Sequence, residues 1–190
     1  MIGRYPTSLS IGGTDYEIDT DFKVGIAILN EFNNSGSSTG QKTEFMLRML
    51  FGEKGFRSLA GKGEAIEKAG WYLRCGRKEK DYDPSYKGIS LDAMVFDWEQ
   101  DGHLIFAGIA KHRGDIRQRE HCHFWEFMAY FSEMGECTFT TVCSIRSKRA
   151  RGKKLEKWES EFYNRNRDLV ELELATRRKV DAFSEFFGTG

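Results

Sequence analysis

The stretch REHCHFWEFMAYFSEMGEC, which runs from Arg119 to Cys137, decides the fold that the sequence predicts. Large apolar side chains recur in it at intervals of three and four residues, the spacing of one face of an α-helix. This face consists of Phe124, Phe127, Met128 and Phe131. Gly135 follows, and glycine is common just beyond a helix end. We therefore predict a helix from Glu120 to Met134, with its aromatic face buried between two other helices.

The first residues of the same stretch have side chains of the types that bind metals. In a helix, His121 and His123 would point about 200° away from each other, and they lack the three- or four-residue spacing of a helical zinc site. Glu120 and His123 form one E-x-x-H motif, which di-iron carboxylate proteins use twice. The sequence has no second copy at that spacing. We predict neither a zinc site nor a di-iron site here.

The N-terminal segment SLSIGGTDYEID has the pattern of a β-hairpin. Apolar and polar residues alternate on both sides of Gly12-Gly13, with Leu9 and Ile11 before the turn and Tyr16 and Ile18 after it. A glycine pair between two alternating runs is typical of a tight hairpin turn. Thr20 is the expected N-cap of the helix that follows.

Two segments in the second half of the chain are also interpreted from their periodicity. From Ile89 to Gly114 the pattern predicts one long amphipathic helix, whose apolar face consists of Trp98, Ile105, Ile109 and His112. The segment FTTVCSIR, residues 139–146, is ambiguous. Its β-branched residues favour a strand, whereas its apolar spacing fits a helix better.

The last forty-five residues begin with the basic run RSKRARGKK, residues 146–154, which carries six positive charges. The run contains no aromatic residue to stack on a base, so we interpret it as a solvated connection rather than a phosphate-binding segment. A long helix with a narrow apolar seam is predicted after it, and the seam consists of Leu155, Trp158, Phe162, Leu169 and Leu172. Such a seam is typical of a helix that projects or pairs, and packing on its own domain is equally compatible with it.

Composition limits the remaining function classes. Twenty-nine basic residues balance twenty-nine acidic ones, so no global field favours nucleic acid or an anionic membrane. The four cysteines include no CxxC pair and are too scattered for a disulfide framework. The longest apolar run, from Leu104 to Ala110, is far shorter than the ~20 residues that cross a bilayer. We expect a soluble protein of a reducing cytosol, with no cofactor, nucleic-acid partner or membrane partner.

These patterns together predict a mainly α fold, a single-domain helical bundle with a small N-terminal β-hairpin. We expect residues 1–190 to form one domain. Within it, residues 1–20 form the hairpin, residues 21–145 the helical core, and residues 146–190 the basic connection and the C-terminal helix.

Four segments, taken in order, resemble a known phage family. They are SIGGTDYEIDTDFK from Ser10, FDWEQDGHLIFAGI from Phe96, HFWEF from His123 to Phe127, and SIRSK from Ser144. In these segments the chain resembles the phage tail protein family named after gene product fifteen, which is found in long-tailed phages and prophages. The resemblance spans most of the chain.

The resemblance implies a role in tail morphogenesis, as a tail assembly chaperone. Such a chaperone coats the tape measure protein before tail tube subunits polymerise around it, and it is absent from the finished particle. We therefore expect a non-enzymatic protein of the host bacterial cytoplasm whose partners are the tape measure protein and further copies of itself. The alternative is a structural subunit that is retained in the mature tail.

A chaperone of this kind needs apolar surface that it can offer to a helical client. The candidates for client contact or self contact are Trp158, Phe162, Leu169, Leu172, Phe183, Phe186 and Phe187. Each of them could instead close the core of the monomer. No catalytic, cofactor-binding or metal-binding residue is predicted.

Overall fold

The computed structural model describes residues 3–34, 36–59, 61–77 and 95–173. These residues are mainly helical and include one small antiparallel hairpin, which confirms the predicted fold class. The hairpin consists of β1 (Ser8–Ile11) and β2 (Thr14–Glu17). The α-helices are α1 (Phe22–Phe32), α2 (Thr39–Ser58), α3 (Lys62–Leu73), α4 (Gly102–Arg113), α5 (Phe124–Ser132), α6 (Thr138–Ala150), α7 (Lys157–Arg165) and α8 (Arg167–Val170).

The described residues belong to two compact units. The N-terminal unit contains the described residues up to 77 together with 120–129, and the C-terminal unit contains 95–119 and 130–173. Helix α5 contributes residues to both units. The expectation that residues 1–190 behave as one domain stays a prediction.

The hairpin of the N-terminal unit turns at Gly12-Gly13, as predicted. Leu9 pairs with Tyr16, and both glycines of the Gly12-Gly13 turn have positive φ angles, +58° and +79°. A turn with two left-handed residues matches the right-handed twist of the strands, which is why a glycine pair is favoured there. The side chains of Leu9 and Ile11 are buried, so one face of β1 belongs to the core.

Helix α1 begins one residue later than the sequence indicates. The prediction of Thr20 as N-cap is wrong, because Asp21 occupies that position and its carboxylate accepts a hydrogen bond from the backbone N–H of Lys23. The Thr20 hydroxyl lies 3.0 Å from Nε2 of His121 instead. Both residues are good N-caps, and a contact distant in sequence selects between them.

Helix α5 is shorter than predicted. It begins at Phe124 rather than Glu120 and ends at Ser132, so the expected start of this helix is wrong by four residues. The aromatic face itself is as predicted: Phe124, Phe127 and Phe131 are buried. Phe127 stacks on Phe22 of α1 in the N-terminal unit, with ring centroids 5.1 Å apart.

The predicted long helix from Ile89 is also wrong. Residues 89–94 lie outside the described residues, and α4 begins only at Gly102. Residues 97–101 form a polar turn instead, in which the Asp97 carboxylate accepts hydrogen bonds from the N–H groups of Glu99 and Gln100. An aspartate that bonds the backbone two residues ahead competes with the helix. Trp98, which was expected on the helical face, is buried within this turn.

The ambiguous segment 139–146 is helical. It lies within α6, and Phe139, Val142, Cys143 and Ile145 are buried along it. Because α6 continues to Ala150, the first five residues of the basic run are helical rather than a solvated connection. Arg146, the first of them, is buried.

The predicted long C-terminal helix is divided in two. Its described part consists of α7 and the short α8, separated by Asn166 with φ −132° and ψ 45°. The side-chain amide of Asn166 donates to the carbonyl of Phe162, a local side-chain bond of the kind that competes with a regular helix. Of the helices among the described residues, none is long and apolar enough to cross a membrane.

Candidate interaction surface

Residues 155–173, here called the arm, contain four of the seven predicted contact residues. The arm packs on Val142 and Ile145 of α6, and its own Val170 is buried with them. Half-buried apolar side chains surround this cluster: Leu104 of α4, and Leu155, Phe162, Tyr163 and Leu169 of the arm. The structure therefore brings Phe162 and Leu169 together on the C-terminal unit.

The other predicted contact residues lie elsewhere. Trp158 is 56% exposed on α7, more than any other large hydrophobic side chain in the described part of the chain. Leu172 is half-buried at the end of the arm. Phe183, Phe186 and Phe187 lie outside the described residues. Among the four described members of the set, Trp158 is the side chain that offers a large apolar surface to a partner.

Arg146 of α6 holds the arm through hydrogen bonds to its backbone, a role that the sequence analysis did not predict. The guanidinium forms a two-point ion pair with Asp101, with distances of 2.6 Å from Nη1 to Oδ2 and 3.0 Å from Nη2 to Oδ1. Its remaining N–H groups donate to the backbone carbonyls of Val95, Leu169 and Val170 at 2.9, 2.6 and 2.7 Å. All five donors of the side chain are therefore used. We call Arg146 and Asp101 the clamp.

The clamp is almost fully removed from water. The side chains of Arg146 and Asp101 are 5% and 2% exposed. A buried ion pair is tolerated only when its geometry is good and its remaining polar atoms are bonded. The backbone N–H of Asp97 meets this need on the carboxylate side, because it donates to Oδ2 of Asp101 at 2.9 Å. The clamp thus joins the polar turn before α4, the middle of α6 and the end of α8.

A signal for the clamp was present in the sequence. Arg146 follows Phe139, Val142 and Cys143 at the spacing of one helical face. A charged residue at a buried position of such a face requires a buried partner of opposite charge. The sequence does not show which carboxylate supplies it, because Asp101 lies forty-five residues away.

A second layer of polar contacts holds the end of the arm. The side-chain amide of Gln100 donates to the carbonyl of Glu171 at 2.7 Å and accepts from the N–H of Glu173 at 3.2 Å. The carboxylate of Glu171 receives Arg149 at 2.6 Å and also the hydroxyl of Tyr163. Gln100 therefore contacts the backbone of the arm in the way a neighbouring strand would.

The beginning of the arm is held by one more ion pair. Glu159 is 2% exposed at its side chain, and Nζ of Lys148 lies 2.7 and 2.8 Å from its two carboxylate oxygens. Burial raises the pKa of Glu159, but the hydrogen bonds from Lys148 and from the backbone N–H of Glu156 outweigh it and lower the pKa overall. The carboxylate is therefore charged at neutral pH.

In the N-terminal unit, the residues first considered as metal ligands have a structural role. His121 and His123 precede α5, so the argument from helical geometry does not apply to them. Nδ1 of His123 accepts a hydrogen bond from the N–H of Trp125, and Nε2 lies 3.0 Å from the carbonyl of Pro6. This pair of contacts requires the neutral tautomer with its proton on Nε2. His123 therefore caps α5 and fixes the N-terminal chain to it.

Aromatic rings surround His123. Tyr5 stacks on it with centroids 4.7 Å apart, and Tyr72 and Trp125 meet it edge-on. Burial lowers the pKa of His123, with a smaller contribution from His121. In the part of the chain that the structure describes, no three His, Cys, Asp or Glu side chains form a group that could hold a metal ion.

Comparison with known proteins identifies the class and then the family. A family model described as "Bacteriophage Gp15 protein" matches residues 1–172, so the chain is a bacteriophage protein. It belongs to the Gp15 family. No curated protein and no solved structure matches it. The matched range includes the clamp, Trp158 and nearly the whole arm, and it ends before Phe183, Phe186 and Phe187.

Proposed function

We propose that this phage protein is a non-enzymatic tail assembly chaperone, which binds the tape measure protein and self-associates during tail morphogenesis. Membership of the Gp15 family supports a phage role. The observation that carries the binding role is the exposure of Trp158 on α7, a helix that the ion pair between Glu159 and Lys148 holds against α6.

A fixed, exposed tryptophan is suited to binding. Tryptophan is enriched among the few residues that dominate interface energies, because it has a large surface and loses little side-chain entropy. In the arm, Trp158 and the half-buried Phe162 are four residues apart on α7, so they share one helical face. A helical client could lay its own apolar stripe along this face.

The proposal also includes where the protein acts and whether it remains in the finished particle. The protein acts in the host bacterial cytoplasm, where tails assemble, and leaves before the particle is complete. It requires no catalytic residue and no cofactor, since apolar surface and repeated copies are sufficient to keep a long helical client apart from its neighbours.

Co-expression with the tape measure protein of the same phage tests the binding role. We expect the chain to co-purify with the tape measure protein and to increase its soluble fraction. Trp158→Glu should abolish co-purification. Ile66→Glu is the matched control, because Ile66 is 38% exposed on α3 in the N-terminal unit. Equal binding by both variants would remove Trp158 from the surface, and absence of binding by the unaltered chain would refute the chaperone role.

Mass spectrometry of purified particles separates the chaperone from a retained tail subunit. A chaperone should be abundant in lysates and absent from finished virions. Stoichiometric recovery of the chain from virions would instead favour the structural subunit.

A further inference from the structure

We propose that copies of this chain associate by exchanging arms, so that residues 155–173 of one copy occupy the face formed by Val142, Ile145 and the clamp of a second copy. This inference rests on the self-association part of the proposed function and gives it a mechanism. It assigns the partner, a second copy, and the surface on which that copy binds.

The first argument comes from what holds the arm. The clamp and Gln100 make four hydrogen bonds to the backbone of the arm, three to carbonyls and one from an N–H group. Lys148 and Arg149 form ion pairs with its carboxylates. The face on α6 is thus built to receive this one segment. The same segment from a second copy would make every one of these contacts. Exchange therefore allows association at a low cost in free energy.

The second argument comes from the connection between α6 and the arm. Residues 151–154, here called the hinge, are non-helical, and Gly152 has a φ of +63°. The N–H groups of Arg151, Gly152 and Lys153 all bond back to the last turn of α6, which closes a tight reversal of the chain. A reversal that depends on one left-handed glycine can open by rotation at that residue.

The third argument is electrostatic. The hinge contains Arg151, Lys153 and Lys154, and all three are exposed. They follow Lys148 and Arg149 directly, and no acidic residue lies between 147 and 155. Like charges in a short linker repel one another and extend it, so the basic run favours an open hinge that reaches a neighbouring copy. The run thereby gains a role that a solvated connection does not have.

The fourth argument concerns the apolar contacts of the arm. Among the hydrophobic residues of the arm, Val170 is buried, whereas Leu155, Phe162, Tyr163 and Leu169 are only half-buried. An arm held largely by polar contacts and half-buried side chains separates from its unit at lower cost than a fully buried helix. In an exchanged pair two such arms lie close to each other's hinges, and Trp158 of each remains available to a client.

Carbodiimide coupling of Lys148 to Glu159 tests the proposal. This zero-length reagent joins an amine to a carboxylate in contact, and the two groups are 2.7 Å apart. One chain has Lys148→Arg, which keeps the ion pair but cannot be coupled, and the other has Glu159→Gln. Neither variant can form the link within itself. When the two are co-expressed, an exchanged arm brings Lys148 of one chain to Glu159 of the other.

We expect a covalent pair of the two variants on a denaturing gel, with the 148–159 link identified by peptide mass spectrometry. The matched control is the wild-type chain co-expressed with a chain that has both substitutions. Exchange then predicts no 148–159 link between a wild-type chain and a doubly substituted chain, and links between wild-type copies only. If the wild-type chain forms the link but the complementary variants stay single, the arm binds its own copy and the proposal fails.

A second measurement needs no substitution. Unlabelled and ¹⁵N-labelled wild-type chains are unfolded, refolded together and coupled. Linked 148–159 peptides with one label from each population support exchange, and peptides of uniform label only would overturn it, whether the protein is then oligomeric or monomeric. Neither readout involves the tape measure protein, so a failure of client binding is distinguishable from a failure of arm exchange.

Discussion

Arg146 and Asp101 form a buried two-point ion pair that connects elements forty-five residues apart in the chain. The arginine also donates to the carbonyl of Val95, the first described residue of the C-terminal unit, and to the carbonyl of Val170 in α8. A guanidinium fixes the positions of its partners by the direction of its hydrogen bonds as well as by distance, whereas apolar contacts are not directional. One arginine can therefore fix several segments at once. The clamp therefore determines where the arm lies.

Substitution of Arg146 should lower the free energy of unfolding, because it breaks the clamp. Arg146→Met leaves Asp101 buried without its partner, and removing one member of a buried pair typically costs about 3–5 kcal/mol of unfolding free energy. Arg146→Lys should be intermediate, since an ammonium has three donors instead of five. Urea unfolding, followed by circular dichroism, measures both.

Arg117→Met is the control for this prediction. Arg117 pairs with Asp115 at 2.8 Å on the surface of the same unit, where its side chain is 53% exposed. Exposed pairs contribute little to stability, because water screens the two charges. Similar losses for Arg146→Met and Arg117→Met would mean that the clamp does not hold the arm.

Gly25 should not tolerate a side chain. A Cβ at this position of α1 would lie 2.1 Å from the ring of Phe124, so the two helices meet at a point where only glycine fits. Gly25→Ala should destabilise the N-terminal unit by about 1–3 kcal/mol through overpacking, although alanine is the better helix former.

Two variants make the Gly25 measurement specific. Gly40→Ala in α2 meets nothing within 4 Å and should be neutral or slightly stabilising. Gly25→Ala should cost less in a Phe124→Leu background than in the wild type, because the smaller side chain removes the ring that clashes. An equal cost of Gly25→Ala in both backgrounds would place the cause of the loss elsewhere.

The stability of the N-terminal unit should fall in mild acid because of His123. Burial lowers its pKa below the ordinary 6.5, against a smaller opposing effect of the Pro6 carbonyl and of Glu126. Below pH 6.5 the unfolded chain therefore binds more protons at this residue than the folded chain, and stability decreases as the pH falls through the folded pKa. Protonation also removes the acceptor that caps α5.

Unfolding free energies of wild type and His123→Asn between pH 7.5 and pH 5 test this prediction. Asparagine is a good N-cap and does not titrate, so the variant should show a flatter pH dependence than the wild type. His112→Gln removes an exposed histidine and is the comparison. A flatter profile in His112→Gln and an unchanged one in His123→Asn would contradict the assignment.

The sequence predicted those parts of the fold that depend on near neighbours. The Gly12-Gly13 hairpin and the aromatic face of α5 follow from patterns within a few residues, and both are present. For residues 139–146 the sequence left strand and helix open, and the helix that forms agrees with the apolar spacing of three and four rather than with the β-branched residues.

Helix ends were predicted poorly, since distant or polar side chains decide them. Thr20 was the better candidate on local grounds, yet its hydroxyl contacts His121, which is a hundred and one residues away. Asn166 and Asp97 interrupt helices through bonds from their side chains to nearby backbone groups, and the apolar pattern carries no trace of these bonds. Asp101 could not be predicted as the partner of Arg146 either, because the two residues are forty-five positions apart in the sequence.

Acid should weaken the arm through Glu159. Because its pKa in the folded chain lies below the ordinary 4.5, the residue contributes stability that is present above pH 4.5 and is lost as the pH falls through the folded pKa. Glu159→Gln removes the charge but keeps an oxygen for the N–H of Glu156, so it should be less stable than wild type at pH 7 and lose less on acidification. Urea unfolding at pH 7 and pH 4 measures both effects.

Glu161→Gln is the control for this prediction, because Glu161 is an exposed neighbour on the same helix. It should follow the wild type at both pH values. If it instead behaves like Glu159→Gln, the acid sensitivity belongs to the surface charge of α7 rather than to the pair with Lys148.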